Sequence, residues 1–155
     1  MNENQSGRGV MCFACGAENE RGLHMQFSRE GERAVCLYTP CAYQQGYPAR
    51  MHGGIVSTLL DEAMGWAVYN AARWGATARL NIRFRRPVPL DNPLRIEAWI
   101  VNDRSRLIEL RAEMRDTAGL LLAEADGSFM KLDGSMSAEM SGLAREAGRG
   151  DAPIV

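Results

Sequence analysis

One long apolar segment constrains this chain more than any other feature, because its apolar residues recur at helical spacing. They fall into two adjacent series with a spacing of four residues, namely Ile55, Leu59, Ala63, Ala67 and Ala71, and Val56, Leu60, Met64, Val68 and Ala72. A stripe this broad predicts a helix over 53–73 that is buried on most of its sides. Gly75 follows the segment and is typical of a helix exit.

Two carboxylates, Asp61 and Glu62, lie in the middle of this apolar segment. Burying a carboxylate is costly unless the group is paired or has a functional role. Since a buried site rarely has room for two such groups, we expect Asp61 to lie in a functional site and Glu62 to face solvent. His52, Gly53 and Gly54 precede the segment and predict a loop that runs directly into the helix.

Composition restricts the class of protein. The chain has 155 residues and a net charge of −1, which predicts one domain with no broad attraction to nucleic acid or an anionic membrane. No apolar run approaches the roughly 18 residues of a membrane span. The first ten residues lack the apolar core of a signal peptide, so we expect a cytoplasmic protein whose four cysteines remain thiols.

Strands are predicted on both sides of the helix by alternation of apolar and polar residues. Before the helix, the alternating residues are Leu23, Met25 and Phe27, and then Val35, Leu37 and Thr39. After it, the predicted strands are centred on 78–85, 94–100, 108–114 and 120–132. The order β-β-α-β-β-β-β with short turns predicts an α+β fold, in which a central helix packs on an antiparallel sheet of about six strands. Gly127 in the last strand predicts a bulge or a close backbone approach.

Three regions are expected along the chain. Residues 1–11 are a polar lead-in without predicted order, and residues 12–132 form the folded domain. Residues 133–155 are rich in Gly, Ser, Ala and Glu, which predicts a mobile tail with at most a short helix around 136–146.

Cys12 and Cys15 form an isolated CxxC pair near the start of the chain. Zinc usually takes four ligands, and only His24, Cys36 and Cys41 could add to the pair nearby. Cys36 lies in a predicted strand, His24 is expected to face outward, and no helix follows the pair as a redox motif would require. We therefore expect two small thiols in a turn, with no metal and no cofactor.

The segment from His52-Gly53-Gly54 to Asp61, nine residues after the histidine, resembles the motif of hotdog-fold thioesterases, in particular the phenylacetic-acid-pathway group. Supporting segments are Gly46-Tyr47-Pro48, Arg85-Arg86-Pro87-Val88-Pro89, Leu121-Leu122-Ala123-Glu124-Ala125, and Cys12-Phe13-Ala14-Cys15-Gly16 followed by Gly22-Leu23. Together they cover about 12–132. One position differs from the family motif. Some relatives carry Asn where this chain has Gly46, and Gln44 and Gln45 are the nearest side chains that could replace that Asn.

The resemblance implies a dimer or tetramer that hydrolyses an acyl-CoA or related thioester. By position in the motif, Asp61 matches the catalytic carboxylate, acting as general base or as nucleophile. Gly53 matches the glycine whose amide polarises the thioester carbonyl. His52 matches the motif histidine, with a simple helix N-cap as the alternative, and Thr77 falls where some relatives place a hydroxyl near the catalytic water.

Further residues are candidates for contact with the substrate. They are Gly54, Glu62, Arg83, Arg85 and Arg86. The arginines suit the CoA phosphates, although a solvated strand face would have the same composition. Trp66, Tyr69 and Trp74 fit either an aromatic acyl pocket or, more commonly, a core or an interface.

Helix geometry limits how these residues can cooperate. Gly53 and Asp61 are separated by about 12 Å along one helix, so they cannot both touch one carbonyl. A two-fold dimer with antiparallel helices would supply the amide from one subunit and the carboxylate from the other. Two other functions remain open: a hydratase or dehydratase that uses His52 with Asp61, and a non-catalytic acyl-CoA-binding module.

Overall fold

Two strands precede the long helix in the computed structural model, which describes residues 11–146. They are β1 (Phe27–Glu30) and β2 (Arg33–Tyr38), and the helix is α1 (Gly53–Asn70). The remaining elements are β3 (Gly75–Phe84), β4 (Leu94–Asp103), β5 (Leu107–Asp116), β6 (Leu121–Lys131) and α2 (Gly134–Glu146). All strand pairs are antiparallel, and their order across the single sheet is β1-β2-β4-β5-β6-β3. The predicted order of elements and the α+β class are confirmed.

Helix α1 packs its apolar residues against the sheet. Leu59, Leu60, Ala63 and Met64 are fully buried, as expected from the broad apolar stripe. Gly127 of β6 lies so close to the helix that a Cβ at this position would be 2.7 Å from the Met64 sulfur. The predicted close backbone approach is therefore confirmed.

The end of α1 differs from the prediction, because the helix stops at Asn70 instead of near 73. Ala72 adopts a left-handed conformation with φ of 57°, and the Arg73 N–H donates to the Val68 carbonyl. This arrangement closes the helix without a glycine. Gly75 is not the exit residue but the first residue of β3.

The first strand is shorter than predicted. Leu23 and Met25 are buried, but their N–H groups donate to the carbonyls of Phe13 and Ala14 in the CxxC turn and not to a strand. His24 between them is exposed and has φ of 52°, which interrupts an extended backbone. The local alternation thus predicted which residues are buried, but wrongly assigned 23–26 to a strand.

The buried face of β2 is the opposite of the predicted one. Leu37 is 74% exposed, whereas Cys36 is buried opposite Ile96 of β4. Tyr38 is likewise buried opposite Leu94. Because side chains alternate along a strand, pairing with β4 decides which set faces α1. Val35, on the other set, is nevertheless buried.

Helix α2 occupies much of the predicted tail. Asp133 precedes it and accepts hydrogen bonds of 3.0 Å from the N–H groups of Ser135 and Met136. These bonds lower the pKa of the Asp133 carboxyl. Residues 1–10 and 147–155 lie outside the described part of the chain, so the limits of the three regions remain predictions. Within 11–146, no helix has the length and apolar character needed to cross a membrane.

Candidate functional site

The N-terminus of α1 is formed by the predicted glycine motif. His52 is the N-cap, and its Nδ1 accepts a hydrogen bond of 2.9 Å from the Gly54 N–H. The His52 carbonyl accepts from Ile55 and Val56, which starts the helical hydrogen bonding. The structure thus shows His52 as the N-cap, and its role as the motif histidine remains a prediction. Because Nδ1 accepts the bond from Gly54, the proton of a neutral His52 ring is assigned to Nε2.

Gly53 is the first residue of α1 and is exposed. Among residues 11–146, its N–H donates no hydrogen bond, as is usual for the first turn of a helix. Phe84, at the end of β3, lies beside it: a Cβ at position 53 would be 3.7 Å from the Phe84 ring, which is 56% exposed. The helix entry is therefore an exposed amide next to an exposed aromatic ring.

Asp61 lies two turns further along the same helix and is half-buried. The Thr77 hydroxyl of β3 donates a hydrogen bond of 2.8 Å to its Oδ1. Ser57 and Thr58 lie between the helix entry and Asp61, and their hydroxyls donate to the carbonyls four residues earlier. The structure thus brings Asp61 and Thr77 together, on a polar side of α1 that starts at the glycines.

Glu62 does not lie with Asp61 and does not face solvent. It is only 9% exposed, and its Oε1 accepts a hydrogen bond of 3.1 Å from the Trp66 indole. Consecutive helix residues point about 100° apart, so the two neighbouring carboxylates enter different surroundings. The expected exposure of Glu62 is therefore wrong. The i, i+4 spacing from Glu62 to the apolar Trp66 was the signal in the sequence that could have indicated this contact.

The CxxC pair lies against Glu62. The donor atoms of Cys12, Cys15 and Glu62 all lie within 4.8 Å of one another. A hydrogen bond from the Cys15 thiol lowers the pKa of Cys12 to about 6, with help from backbone N–H donors of Cys15 and Ala14. The pKa of Cys15 is raised, chiefly because its proton is held by Cys12, and further by burial and the Glu62 carboxylate.

The three arginines proposed for CoA phosphates differ in their contacts. Arg85 is paired with Glu124 of the neighbouring strand β6. Arg83 and Arg86 are exposed. All three lie at the end of β3 that also carries Phe84, near the entry of α1. Their role in phosphate binding remains a prediction.

Trp66, Tyr69 and Trp74 form an aromatic cluster in the interior together with Phe27. Trp66 stacks on Phe27 with ring centroids 5.2 Å apart. Tyr69 contacts both Trp66 and Trp74 edge to face, at 5.4 and 5.6 Å. Trp66 and Trp74 are buried. The core alternative therefore describes these side chains.

Gly46 packs directly on the helix entry. A Cβ there would be 3.0 Å from the His52 Cα, so a larger residue would require a shift. The Gln44 carbonyl accepts from the His52 N–H, while the Gln44 side chain bonds the Tyr38 hydroxyl. Gln45 accepts from the Ala49 N–H. The Gln45 side chain is thus bonded within its own loop, whereas the Gln44 side chain ties that loop to the end of β2.

Comparison with known proteins gives a consistent picture. Residues 49–123 match the family model of the thioesterase superfamily. The acyl-coenzyme A thioesterase THEM4 of Bos taurus is 35% identical over 119 residues, which cover 74% of this chain and 49% of that protein. The chain spans about half the length of the curated relatives it matches.

Solved structures share the fold. A thioesterase superfamily protein superposes with a TM-score of 0.73 and 27% identity, over 76% of this chain and 61% of that chain. A hypothetical thioesterase of Streptococcus pneumoniae TIGR4 with coenzyme A has a TM-score of 0.66 and 18% identity, over 69% and 87% of the two chains. Residues 49–123 thus match the thioesterase superfamily, and the six-stranded antiparallel sheet with α1 packed against it is the hotdog fold of that superfamily's structures.

Proposed function

We propose that this chain hydrolyses an acyl-CoA thioester to the free acid and the CoA thiol. The observation that carries the proposal is the half-buried Asp61 carboxylate, held by the Thr77 hydroxyl on the polar side of α1. The names of the curated relatives, acyl-coenzyme A thioesterases, support the same reaction. Coenzyme A in the Streptococcus pneumoniae structure supports the substrate class.

The reaction needs a donor for the negative charge that develops on the thioester oxygen. The Gly53 N–H lies at the positive end of a helix of 18 residues and is exposed. A donor of this kind contributes about 3 kcal/mol to transition-state stabilisation. His52 supports it by capping the next N–H, which keeps the first turn ordered around the Gly53 amide.

The reaction also needs an activated oxygen. As general base, Asp61 would take a proton from water while the water oxygen attacks the carbonyl carbon. The tetrahedral intermediate would then expel the CoA sulfur, which leaves with a proton. As nucleophile, an Asp61 oxygen would attack the carbonyl carbon and expel the CoA thiolate, which takes up a proton. The resulting mixed anhydride would then be cleaved by water to the free acid and the Asp61 carboxylate. In either case the Thr77 hydroxyl fixes the rotation of the carboxylate. If Asp61 acts as general base, this assistance raises the rate roughly 10²- to 10⁴-fold.

The two groups require a second subunit. Gly53 and Asp61 are about 12 Å apart along α1, which is too far for one carbonyl to touch both. Strand β3 forms an edge of the sheet and carries Thr77, so it offers an unpaired backbone beside Asp61. We therefore propose a two-fold dimer, alone or within a tetramer, in which Gly53 of one chain faces Asp61 of the other.

Positive charge near Phe84, at the end of β3, suits the phosphates of the CoA nucleotide. All three arginines are exposed, but Arg85 is paired with Glu124, so Arg83 and Arg86 are the better candidates for phosphate contacts. Location in the cytoplasm and the absence of nucleic-acid and membrane partners remain predictions from the sequence.

A panel of acyl-CoAs with a thiol reagent tests the proposal directly. Release of free CoA by the wild type, lost in Asp61→Asn, is the expected result. A hydratase or dehydratase would instead change double-bond absorbance without releasing thiol. A binding module would show acyl-CoA affinity, no turnover and tolerance of Asp61→Asn. Either outcome would overturn the assignment.

A further inference from the structure

The turn at residues 11–16 is held firmly against the rest of the fold. The Gly16 N–H donates to the Cys12 carbonyl, and the carbonyls of Phe13 and Ala14 accept from residues 23 and 25. Backbone N–H groups of the turn also bond the Cys12 sulfur. A backbone fixed in this way keeps both thiols of the CxxC pair on one side, facing α1.

Helix α1 supplies a third donor at the same point. Glu62 is buried, and its carboxylate is oriented by the Trp66 indole N–H at 3.1 Å. The two sulfurs and a Glu62 oxygen lie within 4.8 Å of one another. Tetrahedral zinc with bonds of about 2.3 Å to sulfur places its ligands about 3.8 Å apart, so small side-chain rotations would complete the geometry.

The chemistry of these donors favours a cation. Thiolates select soft or borderline metals, and a carboxylate adds charge without displacing them. The Trp66 bond to Glu62 is the kind of outer contact that orients a metal ligand.

We propose that Cys12, Cys15 and Glu62 bind one thiophilic divalent cation of the zinc class, which fastens the N-terminal segment to α1. No metal is expected from the sequence, because the residues near the CxxC pair along the chain offer no convincing further ligand. Glu62 is distant in sequence but adjacent in space. The cation is separate from the reaction, since Glu62 and Asp61 point to different surroundings.

Cobalt(II) is the probe for this site, because thiolate ligands give it charge-transfer absorption. The full chain, reduced and freed of metal by a chelator, should bind one Co²⁺ with these bands, and Zn²⁺ should displace it. Mg²⁺ and Ca²⁺ should not compete, since they prefer oxygen ligands. Thermal melting should shift upward with added Zn²⁺, because only the folded state presents all three donors.

Variants decide which residues hold the metal. Cys12→Ser and Cys15→Ser should each weaken Co²⁺ binding at least about 100-fold, since each removes one of three protein ligands. Glu62→Gln should weaken it roughly 10-fold or more while keeping the thiolate bands. Cys41→Ser, which removes an exposed thiol outside the cluster, should bind as the wild type does.

Three results would overturn the proposal. The first is the absence of thiolate bands in the reduced wild type, and the second is bands that persist unchanged in Cys12→Ser. The third is a Cys12–Cys15 disulfide that forms under the same reducing conditions. Because the readouts are metal binding and melting, they do not depend on thioester hydrolysis.

Discussion

The Thr77 hydroxyl donates a hydrogen bond of 2.8 Å to the Asp61 carboxylate, and thereby joins the edge strand of the sheet to the central helix. This contact orients the group that we propose as base or nucleophile. Thr77→Val keeps the shape of the side chain but removes the donor. We expect kcat for acyl-CoA hydrolysis to fall roughly 10-fold, since a hydrogen bond to a charged group contributes about 1.5–3 kcal/mol. Thr77→Ser should retain most of the activity, and equal kcat values in the two variants would contradict a positioning role.

Asp61→Asn should lower kcat at least about 10²-fold, because the amide can neither accept the proton of water nor attack the carbonyl. Steady-state kinetics with free-thiol detection measures this, and circular dichroism with thermal melting checks folding. Asp91→Asn is the matched control, since it makes the same chemical change in an exposed turn. Near-normal turnover in a folded Asp61→Asn protein would remove Asp61 from the mechanism.

Mixing two inactive variants tests the shared site. Gly53→Pro removes the N–H, and proline suits this position because Gly53 is the first helical residue and His52 before it is extended, with ψ of 133°. Asp61→Asn removes the carboxylate. In a mixed dimer one site keeps both groups and the other lacks both. Random mixing makes about half of the dimers mixed, so activity should return to roughly a quarter of the wild-type value.

The control for this experiment is Gly53→Ala, which keeps the N–H and adds a methyl group at ordinary contact distance from Phe84. It should retain activity by itself. Chain exchange has to be shown with differently tagged subunits. If exchanged dimers stay as inactive as their parents, the amide and the carboxylate do not come from different chains.

Gly127→Ala should destabilise the fold by about 1–3 kcal/mol, because the added methyl would lie 2.7 Å from the sulfur of the fully buried Met64. Urea denaturation measures the change in free energy of unfolding. The double variant with Met64→Leu shortens the opposing side chain, so its loss should be smaller than the sum of the two single losses. Strict additivity would show that the two residues do not compete for space.

The low pKa of Cys12 should be visible in its rate of alkylation. The thiolate is the reactive form, so with a pKa of about 6 the rate should reach half its plateau near that pH. An ordinary cysteine thiol, at 9.0, would react at its half-maximal rate three pH units higher. The measurement uses metal-free Cys41→Ser protein, with Cys12→Ser as control. A midpoint close to 9 would contradict the hydrogen bond from Cys15.

The lowered pKa of Cys12 also makes the stability of the fold depend on pH. Because the folded pKa of Cys12 lies below its ordinary value of 9.0, ionisation favours the folded state. This contribution is complete above pH 9 and is lost as the pH falls towards about 6. Cys15 acts in the opposite direction, since its raised pKa costs stability above pH 9.

Local periodicity predicted much of this fold. The helical spacing of apolar residues from Ile55 onwards predicted a buried α1, and alternation in the later strands predicted β3 to β6. Turn and motif residues placed the helix entry at Gly53. These features succeed because each is determined by neighbours along the chain, through hydrogen bonding and side-chain direction.

The predictions from the sequence fail where contacts between distant segments determine the structure. Glu62 is covered by Cys12 and Cys15, which are distant from it along the chain but adjacent in space. The face of β2 depends on its register with β4, which the alternation of Val35 and Leu37 does not reveal. For the same reason, the hydrogen bond between Asp61 and Thr77 could be expected only from the resemblance, not from the spacing of the two residues.

The strand order also sets the sequence of events during folding. Strands β4, β5 and β6 are consecutive neighbours joined by short turns, so they can pair early with little loop entropy. Among the six strands described within 11–146, β3 pairs with β6 alone, and β6 is made last. During synthesis, the strand that carries Thr77 can therefore join the sheet only after β4, β5 and β6 have been made. The polar side of α1 is completed only at that step, so a truncated chain would hold Asp61 without its hydroxyl partner in the sheet.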